Sequence, residues 1–392
     1  MSEADLLERS AAEFDRAMQR NIKGLGYFSS PSPVLGASPK DTLISRGTLR
    51  LYHYRPMSDE VYRVPILLVM ATTNRGYIFD MVPGQSLVEF LLKAGFDVFM
   101  IDWEAPRQDE SHLGLDDYVL DFLPTCVSRV LDETGEPDLT VVGYCFGGVL
   151  SLLWASLHPG IPLRNLVTFT TPVNFKGMEM FQAWSDKRFF DVDRLIATHG
   201  NCPAEMLYSA FDMLRPGARI AGNIRLWDNL WNDEYVKSYR MFDRWATDIL
   251  PLAGRYFKET TEQLMWDNAL YEGRMKVAGR DVDLGNITVP FMHVVAEHDH
   301  IVPYAASAPL IALAGSADKE EVVLTLCQQD FARLLEAAQD AGIVRIIRDT
   351  KSGGYRVDTG GEVGGRPGNG IVVVPAAAQV GVHPSVDHES SG

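Results

Sequence analysis

The chain is poor in cysteine, in positive charge and in long apolar runs, and each shortage removes a class of protein. Only four cysteines (Cys126, Cys145, Cys202 and Cys327) occur among 392 residues. None forms a C-x-x-C pair, and no spacing of Cys and His suits a metal, so neither a disulfide scaffold nor a metal or organic cofactor is expected. Lysine and arginine number 36 against 52 aspartates and glutamates, for a net charge of −16. General nucleic-acid binding draws on basic surfaces and does not fit that balance. A membrane-spanning helix needs roughly 20 consecutive apolar residues, and no such run occurs, so no membrane span is expected. The opening stretch MSEADLLERSAAEFDRAMQR has no apolar centre and does not read as a secretory signal. A reducing, cytoplasmic location is the expectation that follows. Histidine is missing from one long stretch, between His300 and His383.

What is present is enough for one large α/β domain with insertions, or for two smaller ones: 46% of residues are hydrophobic and 22% charged. The chain turns on residues 139–158, LTVVGYCFGGVLSLLWASLH. A β-branched run leads into Gly143-Tyr144-Cys145-Phe146-Gly147-Gly148, and a helix-length apolar segment follows. Strand, tight turn and helix form the context of a nucleophile elbow, with cysteine in the place usually held by serine. The flanking glycines allow a strained turn and close packing of helix on strand. The turn sets Cys145 at a helix N-terminus, where the dipole favours the thiolate. The alternative is a packed structural thiol.

Around the elbow, strands and helices alternate. Apolar strands are expected over 65–71, 96–102 and 165–170, and helices over 85–94 and 115–133. That rhythm predicts a mainly parallel, doubly wound sheet, and the elbow makes an α/β-hydrolase fold the expected class. Residues 3–20 space their apolar positions as an amphipathic helix, and 29–40 read as a loop, with β character from Thr48 onward. Residues 172–285 are rich in Trp, Phe and Tyr and lose the alternation, which predicts a helical cap inserted over the sheet. The sheet resumes over 289–296, followed by a helix over 305–314 and a strand over 321–326. The expected organisation is thus an N-terminal helical arm (1–40), a core in two parts (41–171 and 286–326) split by the cap, and an atypical C-terminal segment (327–392).

Function in open α/β sheets gathers beyond the carboxyl ends of the strands. Cys145 follows one strand; Asp299, in Glu297-His298-Asp299-His300, follows the strand after the cap. Chain order nucleophile then acid suits this fold, although Asp is also common in surface turns. Backbone N–H groups are the candidate oxyanion donors: Phe146, next to the nucleophile, and Thr73, in the turn after strand 65–71. His300 reads as a structural partner of its loop, and His298 has no stronger claim as a base.

These residues resemble polyhydroxyalkanoate synthases, especially the shorter catalytic subunits of the two-subunit classes. The resemblance covers about residues 40–324 and includes TTNRGYIFD (72–80), SLVEFLLKAGFDVFMIDWEAP (86–106), LGLDDYV (113–119), GYCFGG (143–148), VTFTTPVNF (167–175) and AEHDHIVP (296–303). It implies that Cys145 carries the growing chain as a thioester and that Asp299 helps activate the next hydroxyl. It implies (R)-3-hydroxyacyl-CoA substrates, free CoA and a polyester as products, and action at the surface of polyester granules. A second synthase subunit or a second copy of the chain is the implied partner.

The pattern departs at one place. The family sets its catalytic histidine in a G-H turn just after the strand equivalent to 321–326, and here that place reads Thr325-Leu326-Cys327-Gln328-Gln329-Asp330. Beyond it, 331–341 suggests an amphipathic helix and 343–357 a hairpin. His383, flanked by Val382 and Pro384, is the candidate for a base folding back from the tail; a solvated tail histidine is the alternative. Two other functions follow from the missing histidine: an impaired synthase homologue acting as a binding or granule-associated subunit, and a cysteine-dependent esterase or thioesterase.

Overall fold

Eight strands among the described residues share one sheet: β1 Lys40–Arg46, β2 Leu49–Tyr54, β3 Ile66–Val69, β4 Val98–Trp103, β5 Leu139–Tyr144, β6 Leu163–Phe169, β7 Phe291–Ala296 and β8 Lys319–Leu324. The computed structural model describes residues 3–29, 34–158 and 160–324. The C-terminal segment expected over 327–392, with its helix, its hairpin and His383, lies outside the described residues. Strand order is β1-β2-β4-β3-β5-β6-β7-β8. Strand β2 runs antiparallel to both neighbours, and β4, β3 and β5 to β8 run parallel.

Every residue of β3, β5 and β7 is buried. Their continuous apolar runs are what a strand covered on both faces requires. Edge strand β1 is different: KDTLISR has no fully buried residue, and its pairing with β2 slips between Thr42 and Ile44. Too few of its residues are apolar for periodicity to reveal it, and the expected loop over 29–40 with β character from Thr48 leaves it out.

Helices lie where the alternation places them, with local departures of clear cause. α1 spans Glu3–Ser29, α2 Leu87–Lys93, α3 Leu123–Thr134 and α4 Phe146–Leu157. α2 begins at Leu87 because Gln85–Ser86 pair with Asp80–Val82, and the Ser86 hydroxyl then caps the helix by accepting from the Glu89 N–H at 2.9 Å. A wide turn over Asp117–Phe122 precedes α3, next to Pro124, which has no N–H for a regular helical bond. The helix expected over 305–314 is two short turns, Tyr304–Ser307 and Leu310–Leu313, broken at Pro309.

Between β6 and β7 the chain is helical: α5 Glu179–Trp184, α6 Val192–His199, α7 Ala204–Met213, α8 Ala218–Asp228, α9 Asp233–Thr247 and α10 Gly254–Thr260. These helices form the cap. An isolated β-bridge, Asn74 with Ile249, ties it to the loop after β3. α1 rests on the cap through Lys23, whose ammonium donates to the Trp231 carbonyl at 2.9 Å and lies 2.8 Å from Asp233. Among the described residues, no helix is long and apolar enough to cross a membrane.

Candidate active site

Strand β5 delivers Cys145 at its carboxyl end, and α4 starts on the next residue. Cys145 has φ 52° and ψ −119°, a backbone region that non-glycine residues rarely occupy. Such strain costs on the order of 1–3 kcal/mol and persists only where the surroundings impose it. Here they do. The Cys145 N–H donates to the Phe169 carbonyl at 2.8 Å, and its own carbonyl accepts from the Gly148 N–H at 3.0 Å. A Cβ on Gly147 would overlap the carbonyl oxygen of Val69 at the end of β3, and one on Gly148 would overlap the Thr171 hydroxyl. The glycines after Cys145 are therefore a steric requirement of the bend.

Asp299 stands in the turn after β7, buried, and its Oδ1 accepts from the N–H groups of Ile301 at 2.8 Å and Val302 at 3.0 Å. Burial nevertheless raises its carboxyl to about 6, those two hydrogen bonds drawing it only partly back. Asp299 and Cys145 both stand at the carboxyl ends of parallel strands of the one sheet, after β7 and β5. Burial first, and then Asp299, push the Cys145 thiol up to about 12, against the Phe146 N–H that hydrogen-bonds the sulfur. Both act against the helix dipole, which favours the thiolate. The half-charge of a helix N-terminus is outweighed by desolvation and a neighbouring anion, and the resting sulfur carries its proton at neutral pH.

The candidate oxyanion donors lie on two sides of the sulfur's end of the sheet. Phe146 opens α4 as its first helical residue, whose N–H has no partner within the helix. Thr73 follows β3, half-buried; its carbonyl accepts from the Leu250 N–H at 2.8 Å, and its hydroxyl donates to Asn74 Oδ1 at 3.0 Å. Two further groups escaped the sequence reading. Tyr256, on α10, is fully buried, with its ring centroid 4.5 Å from that of Tyr118 and 6.2 Å from that of Phe146. Its hydroxyl stands 3.2 Å from the buried hydroxyl of Thr72. Burial raises its pKa, and Cys145 is among the groups whose charge acts on it, so it remains a neutral phenol. Nothing in L-A-G-R-Y-F marks Tyr256 among the many cap aromatics; its only signal was its place in that aromatic-rich stretch.

The described histidines around β7 are set apart by environment. His293 is buried in β7, its Nδ1 2.7 Å from the Thr168 hydroxyl and its Nε2 3.2 Å from the Ser307 carbonyl, and burial lowers it to about 4. It is a neutral cross-tie between β6, β7 and the next turn. His298 is exposed. His300 is half-buried and lowered by burial and by the charge of Arg215. His383 lies outside the described residues.

Residues 65–327 match the family model of the alpha/beta hydrolase fold, and residues 35–91 match that of the poly-beta-hydroxybutyrate polymerase (PhaC) N-terminus. The chain is 33% identical over 322 residues to the poly(3-hydroxyalkanoate) polymerase subunit PhaC of Allochromatium vinosum, covering 81% of this chain and 89% of that one. It is 36% identical over 279 residues to the protein of the same name from Thiocystis violacea, covering 70% and 78%. The Haloferax mediterranei polymerase subunit PhaC is 33% identical over 322 residues, or 81% of this chain and 63% of that protein. This chain therefore spans less than two thirds of the Haloferax protein's length.

Proposed function

The chain belongs to the poly(3-hydroxyalkanoate) polymerases of the α/β-hydrolase fold, and from that premise we propose that it is an acyltransferase polymerising (R)-3-hydroxyacyl-CoA through Cys145. The reading is carried by one observation: a cysteine held at positive φ on the turn between the buried strand β5 and helix α4. In the first step the sulfur attacks the thioester carbonyl, a new C–S bond forms, and CoA leaves with the proton as its thiol. In the second, the 3-hydroxyl of another acyl unit attacks the Cys145 thioester, an ester C–O bond forms, and the sulfur regains a proton. Thioester exchange between thiols is nearly balanced in energy, which suits cysteine over serine.

The protonated resting sulfur makes proton removal part of the attack. Asp299, ionised above pH of about 6, is the proposed orienting acid, and His383 remains the proposed base. The N–H groups of Phe146 and Thr73 are the proposed oxyanion donors, each worth about 3 kcal/mol at a developing negative oxygen. The cap above the site favours alcohol over water as acceptor.

We extend the proposal to a cytoplasmic setting at the polyester surface. Phe14, Met18 and Ile22 on α1 and Ile220, Ile224 and Trp227 on α8 are exposed, each set at helical spacing, and support docking against an apolar particle. Incubation with 3-hydroxybutyryl-CoA tests the activity: sustained CoA release with polymer formation is expected. Cys145→Ala should reduce both to background. Persistent release in that variant, or free hydroxyacid without polymer from the parent, would overturn the reading.

A further inference from the structure

We infer that Arg75 is a positioning residue, gripping the sheet with one part of its guanidinium and the cap with another so that the turn carrying the Thr73 amide is held between them. The inference rests on the acyltransferase reading for what the turn does, and on geometry for how it is held.

The turn over 72–77 leaves the end of β3. On the sheet side, Arg75 Nη1 donates to the Trp103 carbonyl at 2.9 Å and to Glu104 Oε2 at 2.7 Å. The neighbouring Gly76 N–H donates to Asp102 Oδ1 at 2.8 Å. Asp102 and Trp103 close β4, so these contacts fasten the turn to the sheet. Gly76 approaches so closely that a Cβ there would stand 2.8 Å from Met100 Sδ.

On the cap side, the Leu250 N–H donates to the Thr73 carbonyl at 2.8 Å, and the Trp245 indole N–H to the Arg75 carbonyl at 3.3 Å. The Tyr77 hydroxyl donates to Asp248 Oδ2 at 2.8 Å, and Arg75 Nε lies 3.9 Å from Asp248 Oδ1. Of the side chains named here, that of Arg75 reaches both partners. A flat guanidinium can do this because its N–H groups point along separate edges; an ammonium is a single point of charge.

On one side of the turn polar contacts carry the task. A cavity of about 210 Å³ opens beside it, lined by Lys40, Tyr52, Tyr77, Asp102 and Glu104 together with Arg75 itself. A turn fastened on both sides takes its position from both. Seating of the cap and placement of the oxyanion amide become one event, so the donor reaches its working position only when the cap is down. Misplacing a catalytic group by about 1 Å can cost roughly a hundredfold in rate.

The experiment pairs backbone amide exchange with CoA-release kinetics on the full chain, in the parent, Arg75→Gln, Arg75→Lys, Asp248→Asn and Cys145→Ala. Arg75→Gln should speed exchange over both 71–78 and 244–252 by at least about tenfold. It should lower kcat about 10- to 100-fold with KM within about twofold. Arg75→Lys and Asp248→Asn, each keeping one side of the grip, should fall between parent and Arg75→Gln in both measurements. Exchange that rises in one segment only, or in neither, overturns the inference, as does a folded Arg75→Gln with parental kcat. Should Arg75→Gln fail to fold, unchanged exchange in the other two variants overturns it equally. Absence of acyl transfer in the parent, or its survival in Cys145→Ala, overturns the acyltransferase reading instead, while the exchange result still decides the grip.

Discussion

Helices α4 and α9 are of similar length and are held in opposite ways. α4 buries ten of its twelve residues and carries no charge, whereas α9 buries Met241 alone among fifteen and carries six charged residues. α4 is confined by volume on every side: β3 meets it at Gly147 and Thr171 meets it at Gly148. α9 is anchored by Asn232, which caps its start with two accepted N–H bonds, and the segment that follows it reaches the turn after β3 through hydrogen bonds. The candidate site straddles the two regimes. Its sulfur sits on a close-packed support, and the turn carrying Thr73, the proposed second oxyanion donor, is tied to the cap by hydrogen bonds. Hydrogen bonds at such a seam are each worth about 1 kcal/mol, so the seam is where the site can adjust.

The contrast can be broken most violently on the α4 side. Gly147→Val would drive a branched side chain into the Val69 carbonyl and should cost more than about 3 kcal/mol, read as loss of the cooperative urea transition. Next in size is Asp299→Asn, where the sign follows from linkage. The folded protein holds this carboxyl's proton up to about pH 6, above the ordinary carboxylate range, so ionisation in the folded state is penalised. The group's contribution is most favourable below the unfolded value near 4 and is lost as pH rises toward 6. Asp299→Asn removes that loss. At pH 7 the variant should be more stable than the parent by about 1–3 kcal/mol, with the difference shrinking toward pH 4, while turnover falls. Urea midpoints across pH 4 to 7 check it, and a difference that grows toward acid pH would contradict the assignment.

Smaller effects probe the seam and the cap. Tyr256→Phe keeps the ring packing and deletes the hydroxyl facing Thr72. It should cost about 1 kcal/mol in stability and lower kcat more than it changes KM; a thermal melt with steady-state kinetics measures both. Smallest of all is Gly222→Ala in α8, where a Cβ would meet nothing closer than the Tyr239 hydroxyl at 3.6 Å. A gain of about 0.5–1 kcal/mol is expected from helix propensity. The same kind of substitution thus changes sign between core and cap, and a destabilised Gly222→Ala would mean that the cap is packed as tightly as α4.

Legibility followed the same division. The parallel strands could be read because burial on both faces demands unbroken Val, Leu and Ile, as in ILLV of β3. The elbow could be read because close approach demands glycine at fixed positions. The alternation of strand and helix, and the aromatic interruption between β6 and β7, were enough to anticipate a hydrolase-like sheet with a helical cap. Tyr256, Arg75 and Asp248 could not be read as a set, because the fold brings them to the β3 turn from segments more than 170 residues apart, and no periodicity encodes that meeting. The upward push on the Cys145 thiol was invisible for a related reason. A helix N-terminus is visible in sequence, but the desolvation that outweighs it arises from atoms distant along the chain.

Strand β1 carries a consequence of another kind. Among the described residues it is one of the sheet's two lateral margins, and such margins invite another chain to pair with their open backbone groups. Here the margin reads Lys40, Asp41 and Arg46 at its ends and slips register after Thr42, which bends it and breaks the ladder that an incoming strand would have to follow. Under the proposed action at a polyester surface, crowded copies would press such margins together, and an irregular, charged border opposes their fusing into a continuous cross-chain sheet.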